Sequence, residues 1–576
     1  MRKNMTPFEL MYHKNKHPHL FETLESANTG LHNLQNYIPM YHRFFVLSES
    51  NHNAINLNHR HHVTTIVSGA NKNTVVATLD SDSDTKIPVF IKYSPLLDPI
   101  KYLSGKYDMS ACDLLALPKY ENKSIAQSVH QKKMHDINNS SYVDAFFTYL
   151  TSRALHEHEF LHGLDFYGSH LANQDEFTVN IYDELEHFVT CDFFLKNRNE
   201  LFRLDETPGD YFKSASARID VGEDLDVEAL ELNALDNYAS DLFVDNHDRA
   251  TDNDVSDLEE FTDEPNAEPN AEQCSQSSQS SDSCSSRSSD DDMSNCDGAD
   301  ASNSEKHDDS ECDDSEYDDE VHNAHIFNFP VHAIMMEKCD NTLDSLMCGK
   351  NELTDAEWTA TLLQVIMALI AYQRMFAFTH NDLHTNNIMF VKTDKKFLHY
   401  LYNGVYYRVP THGRIMKIID FGRAVYKYRG QTMCSDSFDR GGDAATQYNC
   451  EPYMNPKKPR LEPNPSFDLC RLACSLFDYF VEDIRDEAEC AAKSRVASVV
   501  TEWLKDDKGR NVLYKNNGDE RYPEFKLYKM IARTVHGAVP HEQLKRPAFA
   551  HYAIQRKHIN GKPHIMNIDA LPCYEI

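Results

Sequence analysis

The stretch FTHNDLHTNNIMF, Phe378–Phe390, carries two histidines and an aspartate, and it ends in a pair of asparagines before an apolar run. Three interpretations fit side chains of these kinds. His380 and His384 could ligate a metal from a helix, Asp382 could act as a catalytic base, or the stretch could be a polar loop without chemistry. The sequence on either side decides between them.

The metal interpretation is the weakest of the three. His380 and His384 have the spacing of the zinc-binding H-E-x-x-H helix, but Asn381 stands where that motif has its glutamate. The apolar helical pattern before the histidines has already ended, and NIMFVK (387–392) after them has the pattern of a strand. We therefore expect both histidines on a loop, which is a poor zinc site.

A second acidic motif lies downstream, at the end of an apolar strand. A hairpin with Asn-Gly at 403–404 leads into IMKIID, which runs into Asp-Phe-Gly at 420–422. The ordered set H-x-D-L-x-x-x-N (380–387) and D-F-G resembles the catalytic motifs of protein kinases. The stretches GDAATQYNCEPY (442–453) and RLEPNPSFDLCRLACSLFDYF (460–480) resemble, more specifically, serine/threonine kinases of large nucleocytoplasmic DNA viruses.

The resemblance implies phosphoryl transfer from ATP, in which cations meet the charge of a loose transition state. Asp382 would accept or orient the proton of the attacking hydroxyl group. Asn387 and Asp420 would supply oxygen ligands to Mg²⁺. Lys92, in VFIKY, matches the lysine of V-A-I-K on the third strand and would hold the α- and β-phosphates.

Further matches extend over most of the chain. In AIMMEKC, Glu337 and Cys339 match the hinge between two lobes and would offer backbone hydrogen bonds to adenine. Asp468 matches the aspartate that braces the catalytic loop from below. Arg546, in LKRPAF, matches the late arginine that pairs with a glutamate at the end of the activation segment, here Glu451.

The sequence departs from the kinase pattern at three places. Gly69 is all that remains of the glycine-rich loop over the phosphates. Asn381 replaces the arginine that reads a phosphorylated activation loop, so we expect activity that does not depend on such phosphorylation. The helix carboxylate that pairs with the strand lysine has no clear motif: Asp144 is the first choice, with Glu157 and Glu159 as alternatives.

His384 keeps one other function open, a small-molecule kinase. It stands where serine/threonine kinases have a lysine, and H-x-D-L-H-x-x-N is similar to the aminoglycoside- and choline-type phosphotransferases, which share the kinase fold. A pseudokinase scaffold is the third interpretation, although the lysine, both aspartates and the asparagine are all in place. The long segment 423–464 favours a platform for protein substrates over a small-molecule pocket.

Negative charge is concentrated in one segment. Of 576 residues, those from 219 to 320 carry 35 Asp and Glu against 3 Lys and Arg, which leaves 56 acids and 54 bases elsewhere. This serine- and aspartate-rich segment has few apolar side chains, so we expect a disordered insertion that could bind basic partners. Ser310 and Ser315 each have an acidic residue three positions on, as acidophilic kinases prefer.

The remaining sequence predicts no nucleic-acid and no membrane partner. The start, MRKNMTPFEL, lacks the apolar core of a signal peptide. The longest apolar stretch, TLLQVIMALIAY, is broken by Gln364 and is shorter than the roughly 20 residues of a membrane span. The 14 cysteines are scattered singly, which is typical of reduced thiols. We expect an intracellular protein, in the host cytoplasm or in a virion, that acts on viral or host proteins.

Strand and helix patterns differ between the two parts of the chain. Runs of β-branched residues at 61–94, with FLHGLDFYGSHL (160–171) and FPVHAIMMEKC (329–339), predict strands, and SYVDAFFTYLTSRAL (141–155) predicts one helix among them. The later part is helical, and its first long helix starts with a capping-box pattern at 354–357.

These patterns together predict an α+β fold. The resemblance implies a bilobal protein-kinase-like fold with a small β-rich N-lobe and a larger helical C-lobe. We expect an N-terminal extension (1–45), a kinase N-lobe (46–337) that includes the acidic insertion, and a kinase C-lobe (338–576).

Overall fold

The computed structural model describes residues 5–14, 19–57, 61–69, 71–120, 128–205, 322–349 and 352–575. The acidic segment predicted at 219–320, with Ser310 and Ser315, lies outside the described residues. The described residues form a mixed α+β structure, which confirms the α+β part of the predicted fold.

The strands vary in length from 2 to 15 residues. In chain order they are β1 (His13–Lys14), β2 (Leu31–Gln35), β3 (Ile55–Asn56), β4 (Val63–Gly69), β5 (Thr74–Leu79), β6 (Asp82–Pro95), β7 (Phe166–Asn180), β8 (Phe202–Leu204), β9 (Asn323–Glu337), β10 (Asn341–Thr342), β11 (Ile388–Lys392), β12 (Phe397–Tyr402), β13 (Val405–Pro410), β14 (Arg414–Ile418), β15 (Val425–Tyr428), β16 (Gln431–Cys434), β17 (Ala553–Ile554) and β18 (Met566–Asn567).

The longest helices are α4 and α8. In chain order the helices are α1 (His19–Ser26), α2 (Pro99–Leu103), α3 (Val129–His135), α4 (Ser140–His158), α5 (Leu185–Thr190), α6 (Asp192–Asn197), α7 (Leu343–Met347), α8 (Asp355–Phe376), α9 (Phe467–Phe480), α10 (Glu487–Lys493), α11 (Arg495–Trp503), α12 (Lys526–Thr534), α13 (Pro540–Gln543) and α14 (Pro547–Ala550).

The largest sheet belongs to the first part of the chain. Its strands lie in the order β2-β7-β9-β6-β5-β4, with β8 also paired to β9, and all of these pairs are antiparallel. β6 and β9 run side by side in a register that sets Lys92 opposite Ile334. Helix α4 packs against the sheet, and the His332 ring of β9 hydrogen-bonds the Ser141 carbonyl at 3.1 Å.

The described residues on either side of 206–321 are in contact beside this sheet. The Asp205 amide donates to the Asn323 carbonyl at 3.1 Å, and the Asp205 carboxylate lies 2.6 Å from the ring of His325. Residues 206–321 therefore lie between two chain positions that are already in contact. An insertion here does not separate strands that must pair.

Helix α8 is the central helix of the second part. The predicted capping box forms: the Thr354 hydroxyl accepts from the Glu357 amide at 3.3 Å, and the Glu357 carboxylate accepts from the Thr354 amide at 3.0 Å. By length and composition α8 could cross a membrane, but 89% of its apolar window is buried inside the fold. That burial is typical of the core helix of a globular protein.

A small sheet in the second part brings two loops together. β11 and β14 pair antiparallel, with Ile388 opposite Ile418. The residues just before β11 and those just after β14 consequently meet at the same edge. The predicted hairpin β12–β13 also forms, and its Asn403 and Gly404 have φ of +48° and +77°, as a two-residue turn requires.

Three features of the first part differ from the sequence pattern. The prediction of a single helix there is wrong, because α2, α3, α5 and α6 are also present. These helices are short and have no long apolar period; α2 and α3 begin at side-chain caps, as where Asp98 accepts from the Lys101 amide at 3.0 Å. β7 begins only at Phe166, and the preceding stretch 160–165 is a loop. β2, within the predicted extension 1–45, is a strand of the main sheet.

Candidate active site

Lys92 is the centre of a cluster of charged side chains. Its Nζ lies 2.7 Å from Oδ2 of Asp144 on α4 and 2.8 Å from Oδ1 of Asp420. The lysine side chain is only 15% exposed. Burial by itself lowers the pKa of a lysine, but the two carboxylates outweigh it and raise the pKa of Lys92 above its usual value. Lys92 is therefore charged at neutral pH.

Asp144 is positioned by the first turn of α4. Asn139 caps the helix, because its side chain accepts from the Ser141 amide at 3.1 Å. One turn further, Oδ1 of Asp144 accepts from the Phe421 amide at 2.9 Å, while Oδ2 faces Lys92. A single carboxylate thus joins the helix, the strand lysine and the Asp-Phe-Gly motif.

The two alternative carboxylates at the other end of α4 have different partners. Glu157 contacts Arg153 at 3.3 Å, and Glu159 contacts His564 at 3.0 Å. Glu159 is also the residue at which the helix ends, with φ of +52°. The structure therefore brings Asp144, and neither glutamate, to Lys92.

Asp468 holds the loop that contains Asp382. Its two carboxylate oxygens accept from the amide of His380, at 3.0 and 2.9 Å, and Oδ1 also accepts from the amide of Asn381 at 3.0 Å. Asn381 has φ of +67°, a backbone conformation that asparagine tolerates better than most residues. The brace that the sequence predicts for Asp468 is thus present as three hydrogen bonds.

Both polar atoms of the Asn381 side chain form hydrogen bonds. Its Oδ1 accepts from the hydroxyl group of Tyr448 at 2.6 Å, and its Nδ2 donates to the carbonyl group of Arg423 at 3.0 Å. These bonds tie the loop that contains Asp382 directly to the segment after Asp-Phe-Gly. The uncharged side chain of Asn381 therefore connects the two segments.

Asp382 is a buried carboxylate among cations. The Tyr528 hydroxyl donates to its Oδ1 at 3.0 Å, and Nε of Arg471 lies 3.9 Å from the same atom. The Tyr528 ring lies 5.1 Å from the Arg471 guanidinium and 5.6 Å from that of Arg423. Burial would raise the pKa of Asp382, but Arg423 and Arg471 outweigh it and lower that pKa to about 2. Asp382 is therefore ionised at neutral pH.

The orientation of Asn387 follows from its contacts. Its Nδ2 donates at 2.9 Å to the carbonyl group of Asp382, which can only accept. The same Nδ2 lies 3.0 Å from Nε2 of His384, which must then accept and carry its proton on Nδ1. Burial lowers the pKa of His384 to about 4, so the ring is neutral at neutral pH. Oδ1 of Asn387 is left as the atom that could ligate a cation.

Asn387 and Asp420 lie side by side because β11 and β14 pair. The Ile419 amide donates to the Asn387 carbonyl at 3.1 Å, and Asp420 follows directly. An amide oxygen and a carboxylate are hard ligands that suit Mg²⁺, which usually takes one or two protein ligands together with phosphate oxygens. The described parts of the chain hold no group of three or more His, Cys, Asp or Glu side chains arranged as a metal site. Asn387 and Asp420 thus fit a magnesium ion that the phosphate oxygens of a nucleotide would also ligate.

The hinge residues predicted to contact adenine lie at the end of β9. The Glu337 amide already donates to the Asp165 carbonyl at 2.9 Å, so only the carbonyl group of Glu337 could face a base. The Glu337 carboxylate lies 3.0 Å from Nζ of Lys417. Cys339, two residues on, is buried, and burial raises the pKa of its thiol to about 12. A thiol with that pKa is inert at neutral pH.

Gly69 lies at the end of β4, in the sheet row that also contains Val75, Val89 and Glu337. A Cβ atom at Gly69 would come within 3.3 Å of the Asn28 amide nitrogen. The close approach of this neighbouring loop therefore accounts for the glycine. Its role over the phosphates stays a prediction.

Three residues of the site were missed from the sequence. Arg471 lies three residues after Asp468 on α9, and this i, i+3 spacing could have indicated that both face the catalytic loop. Arg423 directly follows Asp-Phe-Gly. Tyr528, on α12, has no local pattern that predicts its contact with Asp382.

The predicted pairing of Arg546 with Glu451 is not formed. Arg546 contacts Glu502 on α11 at 3.6 Å, and its Nε hydrogen-bonds Gln543. Glu451 is exposed. Arg546 therefore contacts residues of two helices of the second part, α11 and α13.

The comparisons with known proteins agree with a kinase-like relationship over part of the chain. No family model matches this sequence. Over 96 residues the chain is 30% identical to the serine/threonine-protein kinase haspin of Mus musculus, and likewise to that of Bos taurus. The match covers 17% of this chain and only 12% and 11% of those two proteins.

Proposed function

We propose that this chain is an ATP-dependent protein kinase with a bilobal kinase fold, which transfers the γ-phosphate of ATP to serine or threonine hydroxyl groups of proteins. One observation carries the proposal: Lys92 contacts both Asp144 and Asp420 in the site that holds the ionised Asp382. Phosphoryl transfer needs this combination of a fixed cation, a metal ligand and a carboxylate for the nucleophile. The partial similarity to a serine/threonine-protein kinase supports it.

Two lobes would follow from the arrangement of the elements. The β-rich part up to Glu337 supplies Lys92 and Asp144, and the part that begins with α7 supplies Asp382, Asn387 and Asp420. A nucleotide bound beside Lys92 would lie between them. The carbonyl group of Glu337 and the backbone of Cys339 would then face adenine.

Each polar residue would have one task. Lys92, held by Asp144, binds the α- and β-phosphates. Asp382 accepts a hydrogen bond from the substrate hydroxyl group and takes its proton as the oxygen attacks the γ-phosphorus. Asn387 and Asp420 would hold Mg²⁺, which neutralises charge that develops on the phosphate oxygens.

We propose viral or host proteins as its substrates, within the host cytoplasm or in a virion, on the basis of the sequence resemblance. The acidic insertion would bind basic partners. His384 favours one second candidate, a small-molecule phosphotransferase, because the sequence pattern H-x-D-L-H-x-x-N is shared with that class.

The test is transfer of labelled phosphate from ATP and Mg²⁺ by the purified full chain. The acceptors are a panel of proteins and a panel of aminoglycosides, and the variants are Asp382→Asn and Asp420→Asn. Asp394→Asn, which changes an exposed carboxylate, is the matched control. Label on protein, retained in the control and lost in both other variants, supports the proposal.

Two results would contradict it. Label on the aminoglycosides alone would favour the small-molecule phosphotransferase. A wild-type chain that neither binds Mg-ATP nor transfers phosphate would favour a pseudokinase scaffold.

A further inference from the structure

Asp436 connects the segment after Asp-Phe-Gly to the start of α4. Its Oδ1 accepts from the amide of Ser140, the first residue of the helix, at 3.0 Å, and its Oδ2 accepts from Nζ of Lys133 on α3 at 2.6 Å. The amide of Asp436 itself donates to the Asn138 carbonyl at 2.8 Å. The Asp436 side chain is only 8% exposed, whereas Lys133 is 30% exposed, so the carboxylate is the buried partner of this ion pair.

The position of the carboxylate is favourable on two physical grounds. The first amides of a helix have no partner within the helix, and the helix dipole favours negative charge at that end. A cation that bonds the second oxygen adds a charge-assisted hydrogen bond. Both oxygens of Asp436 are thereby used, one on the helix and one on Lys133.

Further contacts join the same two parts of the chain. The Arg43 guanidinium donates to the carbonyl group of Thr432 on β16 at 3.0 Å and also hydrogen-bonds Asn138. The Tyr426 hydroxyl on β15 donates to the Val143 carbonyl on α4 at 2.9 Å. The hairpin β15–β16 is therefore fastened along the first turn of the helix.

This first turn also positions Asp144. Asp144 lies four residues after Ser140, on the same side of the helix one turn away, and contacts both Lys92 and the Phe421 amide. A shift of the helix start would move the carboxylate away from the lysine. Asp436 thus stands one helical turn from the ion pair that phosphoryl transfer requires.

We infer that Asp436 is a positioning residue, whose carboxylate on the start of α4 and on Lys133 holds Asp144 against Lys92. The inference rests on the proposed kinase function and explains how the site is held ready without added charge. In kinases that need activation, phosphorylation in this region controls the placement of the corresponding helix. Here a carboxylate of the chain itself supplies the negative charge.

The test compares Asp436→Ala and Asp436→Asn with Asp439→Asn, an exposed carboxylate three residues along the same segment. We expect kcat/KM for phosphate transfer to fall about tenfold in Asp436→Ala and less in Asp436→Asn, which keeps an acceptor oxygen. Asp439→Asn should be unchanged. Lys133→Met should lose activity, and Lys133→Arg, which keeps the charge, should restore most of it.

A double-mutant cycle separates positioning from general damage to the fold. If Asp436 acts through Asp144, Asp436→Ala should cause little further loss in an Asp144→Asn background. An equal further loss, or an Asp436→Ala variant as active as Asp439→Asn, would overturn the inference while leaving the kinase proposal intact. Should Asp436→Ala fail to fold, Asp436→Asn and Lys133→Met serve in the same cycle.

Amide hydrogen exchange provides a readout that needs no activity. The amides of Ser140–Asp144 should exchange faster in Asp436→Asn than in Asp439→Asn. Equal exchange would overturn the inference. If the two variants show this difference in exchange but the wild-type chain transfers no phosphate, the proposed function fails and the helix contact stands.

Discussion

The hydroxyl group of Tyr528 donates a 3.0 Å hydrogen bond to Oδ1 of Asp382. Tyr528 is nearly buried, and its own hydroxyl accepts from Nε of Arg471 at 2.8 Å. Arg471 also faces Oδ1. Both neighbours therefore face one oxygen of Asp382, its Oδ1.

Tyr528→Phe should lower kcat about fivefold, which corresponds to one hydrogen bond of about 1 kcal/mol that orients the catalytic carboxylate. KM for ATP should not change, because Lys92 and Asp420 keep their contacts. Steady-state kinetics with varied ATP measures both values. Tyr522→Phe, six residues earlier in the chain, is the control, and an equal loss of kcat in both variants would refute the assigned role.

Asp144→Asn should lower kcat/KM at least tenfold with the fold retained. The neutral amide cannot form the ion pair that Asp144 makes with the Lys92 ammonium, so the lysine would be held less firmly for the phosphates and would pair more strongly with Asp420. Kinetics and thermal unfolding, measured together, check activity and folding. Glu157→Gln on the same helix should keep full activity, and a loss there equal to that of Asp144→Asn would favour the alternative carboxylate.

Phosphatase treatment should leave the activity of the purified chain unchanged. The Asn381 side chain hydrogen-bonds the Tyr448 hydroxyl and the Arg423 carbonyl, which are both uncharged. An arginine that binds a phosphorylated activation loop would instead pair with the charged phosphate. Treated and untreated samples are compared after mass spectrometry has verified removal of phosphate. Loss of activity on treatment, restored by rephosphorylation, would contradict this prediction.

The pH dependence of stability should include a contribution from buried His162. Its ring hydrogen-bonds the Met416 carbonyl at 2.7 Å and the Tyr400 hydroxyl at 2.8 Å, and burial lowers its pKa to about 4. The unfolded chain has a histidine pKa of about 6.5. Between these values the unfolded state binds a proton that the native state does not. The contribution is therefore fully present above about pH 6.5 and is lost as the pH falls toward 4.

The loss from this one histidine should be about 2 kcal/mol in the free energy of unfolding between pH 7.5 and pH 5. Urea denaturation at the two pH values measures it. His162→Gln should have a lower free energy of unfolding than the wild type at pH 7.5. Its free energy of unfolding should fall by about 2 kcal/mol less than that of the wild type between pH 7.5 and pH 5. His558→Gln, which changes an exposed histidine, should keep the wild-type dependence, and an identical dependence in His162→Gln would contradict the assignment.

Much of the fold could be predicted from the sequence because its patterns are local. The capping box at Thr354, the turn at Asn403 and the alternation in β4–β6 depend on residues within a few positions of one another. The short helices α2, α3, α5 and α6 could not be predicted in this way. These helices have no long amphipathic period, and tertiary contacts stabilise them.

The sequence by itself determined the order of the chemical groups: a lysine on a strand, then Asp382, Asn387 and Asp420 around a short sheet. Only the tertiary structure decided which groups stand next to them. Asp144 reaches Lys92 across 52 positions, and Tyr528 reaches Asp382 across 146. Such pairs depend on how helices pack against a sheet, and an aspartate or tyrosine on a helix has the same local pattern whether or not it faces the site.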